Sequence, residues 1–198
     1  MPADLGLIIA NLTSFYDLRR KVVIHVGADG GQLLGYAPLS LKVIAVDKDP
    51  SAIRRLEERI PEQSLGETVS VVPGDFRNLD LHGDVVLLEF CLHEMSEPRS
   101  AIEHARSIAA DVLVIDHLPE SRWAWYANED EAMARAWKAV AAAGPRERRS
   151  YEAVQRFGDY RELEERFSSL GEESHRRIRA LREQPAVVIP MPYGIALV

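Results

Sequence analysis

The sequence of 198 residues has a single cysteine and no long apolar run. Cys91 alone cannot form a disulfide within the chain or a cysteine-built zinc site, and we expect no bound metal. One thiol also agrees with the reducing cytoplasm, which is the location we expect. The N-terminal apolar patch at 5–10 is too short for a signal peptide, and no stretch approaches the ~20 apolar residues of a membrane span. We therefore expect a soluble protein.

Positive charge is scarce as well. Lysine and arginine together number 24, against 31 aspartates and glutamates, which gives a net charge of −7. Binding to nucleic-acid phosphates needs clustered positive charge. The arginines of 146–182 alternate with glutamates, which indicates a solvated helix surface. We expect a small-molecule partner and neither nucleic acid nor membrane, and we leave a homo-oligomer open because no heptad pattern is long enough to predict one.

Five short apolar runs, most of them rich in β-branched residues, end at turn-forming or acidic residues. They are 21–26, 42–46, 68–72, 84–90 and 111–115. Such runs predict buried strands, and helical patterns at 50–59 and 98–109 separate some of them. Strands that alternate with helices predict an α/β fold with a Rossmann-like, mostly parallel sheet and helices on both faces.

The remaining segments complete one expected domain over residues 1–198. An N-terminal helix is expected within 1–19, a core over 20–118, a helical excursion over 119–184 and an antiparallel hairpin over 185–198. The excursion follows the fifth strand and is a candidate lid. Trp123, Tyr126 and Trp137 fall at helical spacing within it, which predicts one shared buried face; the alternative is that some of these rings line a substrate.

Ligands of an open parallel sheet bind beyond the carboxyl ends of its strands. In this sequence those ends carry Gly27-Ala28-Asp29-Gly30-Gly31, Asp47, Gly74-Asp75-Phe76, the run from Glu89 to Met95, and Asp116-His117. A glycine turn lets a ligand approach the backbone and offers it amide hydrogens. Asp47 lies about 20 residues beyond Gly27, where an acid can accept both ribose hydroxyls. Asp75 can accept from an adenine amino group, with Phe76 near the ring. These residue types suit a nucleoside ligand.

These strand ends resemble, in order, the motifs of class I, seven-stranded S-adenosylmethionine-dependent methyltransferases. The likeness covers roughly 20–118, and the expected hairpin matches the family's sixth and seventh strands. It implies S-adenosylmethionine as cofactor and methyl transfer to a small molecule. The family's first motif has an acid where this sequence has His25 and a middle glycine where it has Asp29. That acid usually helps to position the amino end of the methionine part, and Asp29 is a candidate to replace it.

The resemblance implies a set of cofactor-binding residues, namely Gly27, Asp29, Gly31, Asp47, Lys48, Asp75, Phe76, Glu89 and Phe90. A general base is needed only if the acceptor is protonated, and the candidates are His93, Glu94 and His117. Structural roles stay open for these residues: a tight turn at the glycines, caps at the aspartates and packing for the histidines. We expect His25 and Cys91 to be packed core residues.

Two other functions stay open. The departures at His25 and Asp29 allow a catalytically silent domain that binds the nucleoside, or nothing, and acts through partners. An NAD-dependent oxidoreductase would also use Asp47, but its G-x-G-x-x-G turn lacks the last glycine here, since Gln32 stands in its place.

Overall fold

The computed structural model describes residues 5–28 and 32–198. Within these ranges the chain forms eight α-helices and nine strands. The helices are α1 (Leu5–Phe15), α2 (Leu33–Tyr36), α3 (Pro50–Glu62), α4 (Pro98–Ile108), α5 (Arg122–Ala127), α6 (Asp130–Ala142), α7 (Tyr160–Arg166) and α8 (Glu172–Ile178). The strands are β1 (Val22–Val26), β2 (Lys42–Asp47), β3 (Val69–Pro73), β4 (Gly83–Glu89), β5 (Ala109–His117), β6 (Glu147–Tyr151), β7 (Val154–Phe157), β8 (Val187–Pro190) and β9 (Tyr193–Leu197).

Seven of these strands form one sheet, in the order β3-β2-β1-β4-β5-β9-β6. The pairs among β1 to β5 are parallel, whereas β9 runs antiparallel to both β5 and β6. The strands β7 and β8 form a separate antiparallel pair. The expected Rossmann-like, mostly parallel sheet is confirmed.

The central strands are apolar along most of their length because both faces of the sheet are covered. In β4, Val85 and Leu87 belong to a core shared with α1, α2 and α3, while Val86 and Leu88 belong to a core shared with α4 and α6. All four side chains are fully buried. Burial of each side chain contributes about 1.5–3 kcal/mol to stability. None of the described helices is long and apolar enough to cross a membrane.

The aromatic residues of the excursion do not share one face. Asn128 has a left-handed backbone conformation (φ 63°) that ends α5, so α6 begins in a new direction. Trp123 and Tyr126 lie in the core with α1, whereas Trp137 lies in the core with α4. All three rings are buried, but the expectation of a common face is wrong because it assumed one continuous helix.

The helical excursion is interrupted by strands. Residues 147–157 form β6 and β7, and only then do α7 and α8 follow. β6 lies at the edge of the sheet and is largely exposed, with Arg148 and Arg149 on it. An edge strand that pairs on one side only lacks the apolar run that marks a buried strand, and its charges resemble those of a helix surface. The expectation of a helical excursion over 119–184 is therefore corrected, because β6 and β7 lie within it.

The two C-terminal strands do not form the expected hairpin with each other. β8 pairs with β7, and β9 inserts between β5 and β6. The linker between them is held by both sheets: the Met191 amide donates to the Ala153 carbonyl (2.7 Å), and the Leu118 amide donates to the Pro192 carbonyl (3.0 Å). Two short apolar runs around a turn look the same whether they pair or cross between sheets. The last two places in the large sheet belong to β9 and β6.

Candidate functional site

Two adjoining clefts lie at the carboxyl edge of the parallel strands. The large cleft, of about 410 Å³, lies at the ends of β1, β4 and β5 and extends to α5 and residues 166–170. The small cleft, of about 210 Å³, lies at the ends of β2 and β3. The residues that line both clefts are Gly27, Asp47, Lys48, Cys91 and Glu94. Any ligand that spans the two clefts passes these residues.

Gly27 begins the turn after β1 in a conformation that favours glycine, with φ +92°. A Cβ atom at this position would lie 2.7 Å from the backbone oxygen of Glu89 and 2.9 Å from Cβ of Cys91. The turn can therefore pack against the end of β4 only with glycine here. The predicted ligand residues Asp29 and Gly31, with Gly30, lie outside the described residues.

Asp47 connects the end of β2 to the glycine turn. Its Oδ2 accepts a hydrogen bond from the Ala28 amide, and its Oδ1 accepts one from the Asp49 amide, both at 2.9 Å. Each carboxylate oxygen keeps further acceptor capacity. The half-buried side chain faces both clefts, and the exposed Lys48 follows it. Asp47 thus combines a turn-stabilising role with the ability to accept from a ligand's hydroxyl groups.

Asp75 and Phe76 line the small cleft, as expected for residues after β3. The Asp75 carboxylate accepts from the Arg77 amide (3.0 Å) and from the Arg77 guanidinium, with Nη2 2.5 Å from Oδ2. This guanidinium contact lowers the pKa of Asp75, so the group is ionised. Phe76 is buried and packs edge-to-face against His104. Asp75 therefore both caps the turn at 76–78 and lines the small cleft.

His25 is a buried, hydrogen-bonded core residue, as expected. Its Nδ1 is 2.7 Å from the Tyr36 hydroxyl, and its Nε2 is 3.1 Å from the Gly27 carbonyl oxygen. Because a carbonyl oxygen can only accept, Nε2 carries the proton and Nδ1 accepts from the tyrosine. Burial lowers the pKa of His25 to about 4. The ring is neutral, and both of its nitrogens are occupied.

Glu89, the last residue of β4, is buried, and the described residues offer its carboxyl group no hydrogen bond. Its side chain is 2% exposed, and neither carboxyl oxygen makes a hydrogen bond within the described part of the chain. The His25 Nε2 lies 3.5 Å from Oε2, but its proton is directed to Gly27. Burial raises the pKa of Glu89 to about 8. The carboxyl group lines the large cleft and is mainly protonated at neutral pH.

Phe90 and His117 form the wall of the large cleft between β4 and β5. Phe90 has a positive φ of 47°, which costs a non-glycine residue roughly 1–3 kcal/mol. Its amide donates to the Ile115 carbonyl (2.7 Å), and its ring lies 4.7 Å from the His117 ring. Burial lowers the pKa of His117 to about 4, and its buried Nδ1 has no partner among the residues described. His117 is therefore a neutral ring with an unused polar atom.

His93 is held by a buried carboxylate. Its Nδ1 lies 2.7 Å from Oδ1 of the fully buried Asp116, which also accepts from the His93 amide through Oδ2 (3.1 Å). The His93 Nε2 is 3.8 Å from the half-buried Glu129. Burial alone would lower the pKa of His93, but the hydrogen bond and charge of Asp116, with the charges of Glu129 and Glu94, outweigh it and the pKa is raised. Such a carboxylate–imidazole pair can take up a proton.

The two other predicted residues of this loop differ in character. Glu94 is exposed at the edge shared by both clefts. Cys91 is buried, with its Sγ 3.3 Å from the Val26 carbonyl oxygen, and burial raises its pKa well above the ordinary value. Cys91 is therefore a packed thiol, as expected, and not a nucleophile.

Sequence reasoning did not identify several residues that shape the site. Asp116 was named among the strand-end residues but given no role; it lies one residue before the end of β5. Tyr36, Glu129, Gln155 and Arg166 come to the site from α2, the start of α6, β7 and α7. Their positions result from packing between distant segments, which no local pattern reports.

Comparison with known proteins finds one similar family. A family described as methyltransferase domain matches residues 24–111. The match covers less than half of the chain, so it is this segment that resembles a methyltransferase domain. A search of the curated proteins finds no match.

Solved structures share the fold of this chain. YcgJ from Bacillus subtilis superposes with a TM-score of 0.70 at 13% identity, covering 98% of this chain and 97% of that one. A SAM-dependent methyltransferase from Aquifex aeolicus has a TM-score of 0.60 at 18% identity, with 100% and 98% covered. The [4+2]-cyclase SpnF has a TM-score of 0.68 at 14% identity, with 96% and 79% covered. At these identities the likeness concerns the fold alone.

The family implies S-adenosylmethionine as the cofactor, and the described residues fit this molecule. Its ribose hydroxyls need acceptors, and Asp47 has unused acceptor capacity where the two clefts meet. Its methionine part carries an ammonium group, and the unpartnered carboxyl of Glu89 lines the large cleft. The polar groups left open among the described residues therefore complement those that this cofactor presents.

Proposed function

We propose that this protein is a methyltransferase and that it methylates a small molecule at an atom that carries a proton. The observation that supports the proposal is the Asp116–His93 pair, whose Nε2 side meets Glu129 at the large cleft. S-Adenosylmethionine, when bound, supplies a methyl group that is already activated by its sulfonium sulfur. The protein therefore has to orient the acceptor, exclude water and remove the acceptor's proton.

On the cofactor side, we assign the roles by residue chemistry. Asp47 accepts from the ribose hydroxyls, while Gly27 lets the backbone approach the ligand. Phe76 and Asp75 hold the adenine in the small cleft, and Lys48 lies at the junction of the clefts. Asp29 and Gly31 stay predictions for the same turn. This arrangement directs the sulfur toward the end of β4, where Glu89 and Phe90 lie.

On the acceptor side, His93 takes the proton and Asp116 stabilises the resulting imidazolium. The carboxylate fixes the ring through Nδ1, which leaves Nε2 to face the acceptor. His117 is neutral and offers an unused nitrogen, which suits it to orienting the acceptor by a hydrogen bond. Glu94 is exposed at the edge of the cleft and is the weakest of the three candidates for a base.

The size and walls of the large cleft support a small acceptor. Its volume of about 410 Å³ is in the range typical of small-molecule sites, roughly 300–1,000 Å³. Trp123, Gln155, Arg166 and Met191 line it from α5, β7, α7 and the linker before β9. These segments place protein around the acceptor position. The net charge of −7 also disfavours a nucleic-acid acceptor.

The test combines binding and turnover. Calorimetry should show binding of S-adenosylmethionine and S-adenosylhomocysteine, and labelled methyl should appear on one or more members of a panel of small hydroxyl, amine and thiol compounds. His93→Gln should lower turnover roughly 10²–10⁴-fold while changing affinity for S-adenosylhomocysteine little. His82→Gln is the matched control because His82 is an exposed loop residue. Binding without turnover on any acceptor would favour a silent domain, and binding of neither nucleoside would reject the proposal.

A further inference from the structure

We propose that Glu89 binds the α-ammonium group of S-adenosylmethionine, in place of the acid that class I methyltransferases usually carry at the position of His25. The inference deepens the proposed function and rests on it, because it requires that the cofactor bind in the large cleft.

The side chain at position 25 is not available for this contact. The His25 Nε2–H is directed to the Gly27 carbonyl, and Nδ1 accepts from the Tyr36 hydroxyl. The ring is completely buried and neutral. A neutral imidazole with both nitrogens engaged cannot replace a carboxylate as the acceptor for an ammonium group.

Glu89 brings a carboxyl group to the same place from the neighbouring strand. β1 and β4 pair in parallel with His25 opposite Leu87 and Val26 opposite Leu88. Glu89 therefore lies beside Gly27, and its Oε2 is 3.5 Å from the His25 ring. Glu89 therefore places a carboxyl group on β4 instead of β1, at the same carboxyl edge of the sheet.

Within residues 5–28 and 32–198, no cationic side chain is paired with Glu89. The titratable groups packed against it from β1, α2 and the loop after β4 are His25, Tyr36 and Cys91. Burial lowers the pKa of the first and raises the pKa of the other two, so all three are neutral near pH 7. A buried carboxyl without a partner is costly, and an ammonium group offers three donors and the opposite charge. The acceptor capacity of Glu89 therefore matches that ligand group.

Two ligands separate this contact from the rest of the site. S-Adenosylhomocysteine carries the ammonium group, whereas 5′-methylthioadenosine has the same nucleoside and a thioether but no amino acid end. We expect Glu89→Gln to weaken S-adenosylhomocysteine binding about 10- to 100-fold and to leave 5′-methylthioadenosine binding unchanged. Glu67→Gln, at an exposed glutamate before β3, should change neither affinity.

Proton release gives a second readout that needs no variant. At pH 6.5 the free carboxyl of Glu89 is protonated, and binding an ammonium group should ionise it. Calorimetry of S-adenosylhomocysteine in buffers of different ionisation enthalpy should show release of about one proton per site by the wild type, and 5′-methylthioadenosine should release none.

The outcomes distinguish this inference from the proposed function. If the wild type binds neither ligand, the proposed function fails. If it binds both, but Glu89→Gln binds S-adenosylhomocysteine as tightly as the wild type and no proton is released, the role of Glu89 is refuted while the nucleoside site stands. If Glu89→Gln does not fold, the proton count of the wild type decides alone.

Discussion

Three buried residues near the strand ends of the sheet have pKa values that differ from their ordinary values. Burial lowers the pKa values of His25 and His117 to about 4 and raises that of Glu89 to about 8. The fourth buried group, His93, differs because Asp116 lies against it. One sheet edge therefore holds neutral polar groups beside one polarised imidazole, as expected for a site that binds a ligand and moves a proton.

The first prediction concerns Gly27. Gly27→Ala places a Cβ atom 2.7 Å from a backbone oxygen at a φ of +92°, so the turn after β1 must shift. We expect a loss of about 1–3 kcal/mol in the free energy of unfolding, together with weaker binding of S-adenosylhomocysteine. Denaturant unfolding and calorimetry measure both effects. Gly66→Ala is the control, because nothing lies within 4 Å of its added Cβ; equal effects of the two substitutions would contradict this account.

A second prediction concerns the pH dependence of turnover. A base must be unprotonated, so kcat/KM should rise with pH through the raised pKa of His93. Asp116→Asn removes the charge that raises this pKa, and we expect the acidic limb of the profile to move about 1–3 pH units lower, with reduced maximal turnover. Glu129→Gln should move the limb in the same direction by less, because Glu129 is more exposed and 3.8 Å from Nε2. A limb that stays in place in both variants argues against His93 as the base.

At the scale of elements, the strands that the sequence reveals are those covered on both faces. The parallel strands β1 to β5 were predicted to within a few residues. Four of them, β1, β2, β4 and β5, lie inside the sheet, where burial of both faces requires long apolar runs. β6 was missed because Arg148 and Arg149 occupy an edge that pairs only with β9. The prediction that β8 and β9 pair with each other was also wrong. Their pairing depends on the contacts that hold the linker at Met191, and the sequence does not report these contacts. Burial of a strand leaves an apolar pattern in its own sequence, whereas the choice of its neighbouring strand leaves none.

The same distinction applies to the site. Strand-end residues such as Asp47 and Asp75 could be named because parallel strands bring their carboxyl ends together. The partners Tyr36 and Glu129 could not, since they reach the site by packing of α2 and the start of α6. The sequence also could not predict that the carboxyl group of Glu89 lies beside His25, because the two residues belong to different strands that are brought together by folding.

A third prediction concerns the contact between β9 and α6. A Cβ atom at Gly194 would lie 2.5 Å from the ring of Trp137, whose Nε1–H donates to the His117 carbonyl (2.6 Å). Gly194→Ala should therefore cost about 1–3 kcal/mol of stability and disturb the wall of the large cleft. Gly6→Ala in α1 meets nothing within 4 Å and should be neutral or slightly stabilising. A Gly194→Ala protein as stable as the wild type would show that this packing is looser than described.

At the scale of the whole molecule, we propose that residues 1–198 fold as one domain. β9 and β6 lie beyond 140 in the sequence, yet they complete the sheet begun by β1 to β5. We expect one cooperative urea transition, with far-UV circular dichroism and tryptophan fluorescence coinciding. Trp123 and Trp137 report on opposite faces of the sheet, so two separated transitions would indicate independent units.

The stability of the whole molecule should also depend on pH through Glu89. The unfolded chain loses this proton near pH 4.5, whereas the folded protein keeps it until about pH 8, so the contribution of Glu89 to stability falls as pH rises between these values. His25 and His117 have the opposite effect on stability. Their folded pKa of about 4 lies below the ordinary value of 6.5, so stability is lost as pH falls through that range. The free energy of unfolding of Glu89→Gln, relative to wild type without ligand, should increase between pH 5 and pH 8 by on the order of a few kcal/mol. A difference that does not change with pH would mean that Glu89 is not held protonated.

The most direct test of the account is a crystal structure with S-adenosylhomocysteine bound. We expect the adenine in the small cleft beside Phe76, the ribose hydroxyls at Asp47, and the amino end in the large cleft at Glu89. A ligand whose ribose lies away from Asp47, or whose adenine lies outside the small cleft, would contradict the assignment.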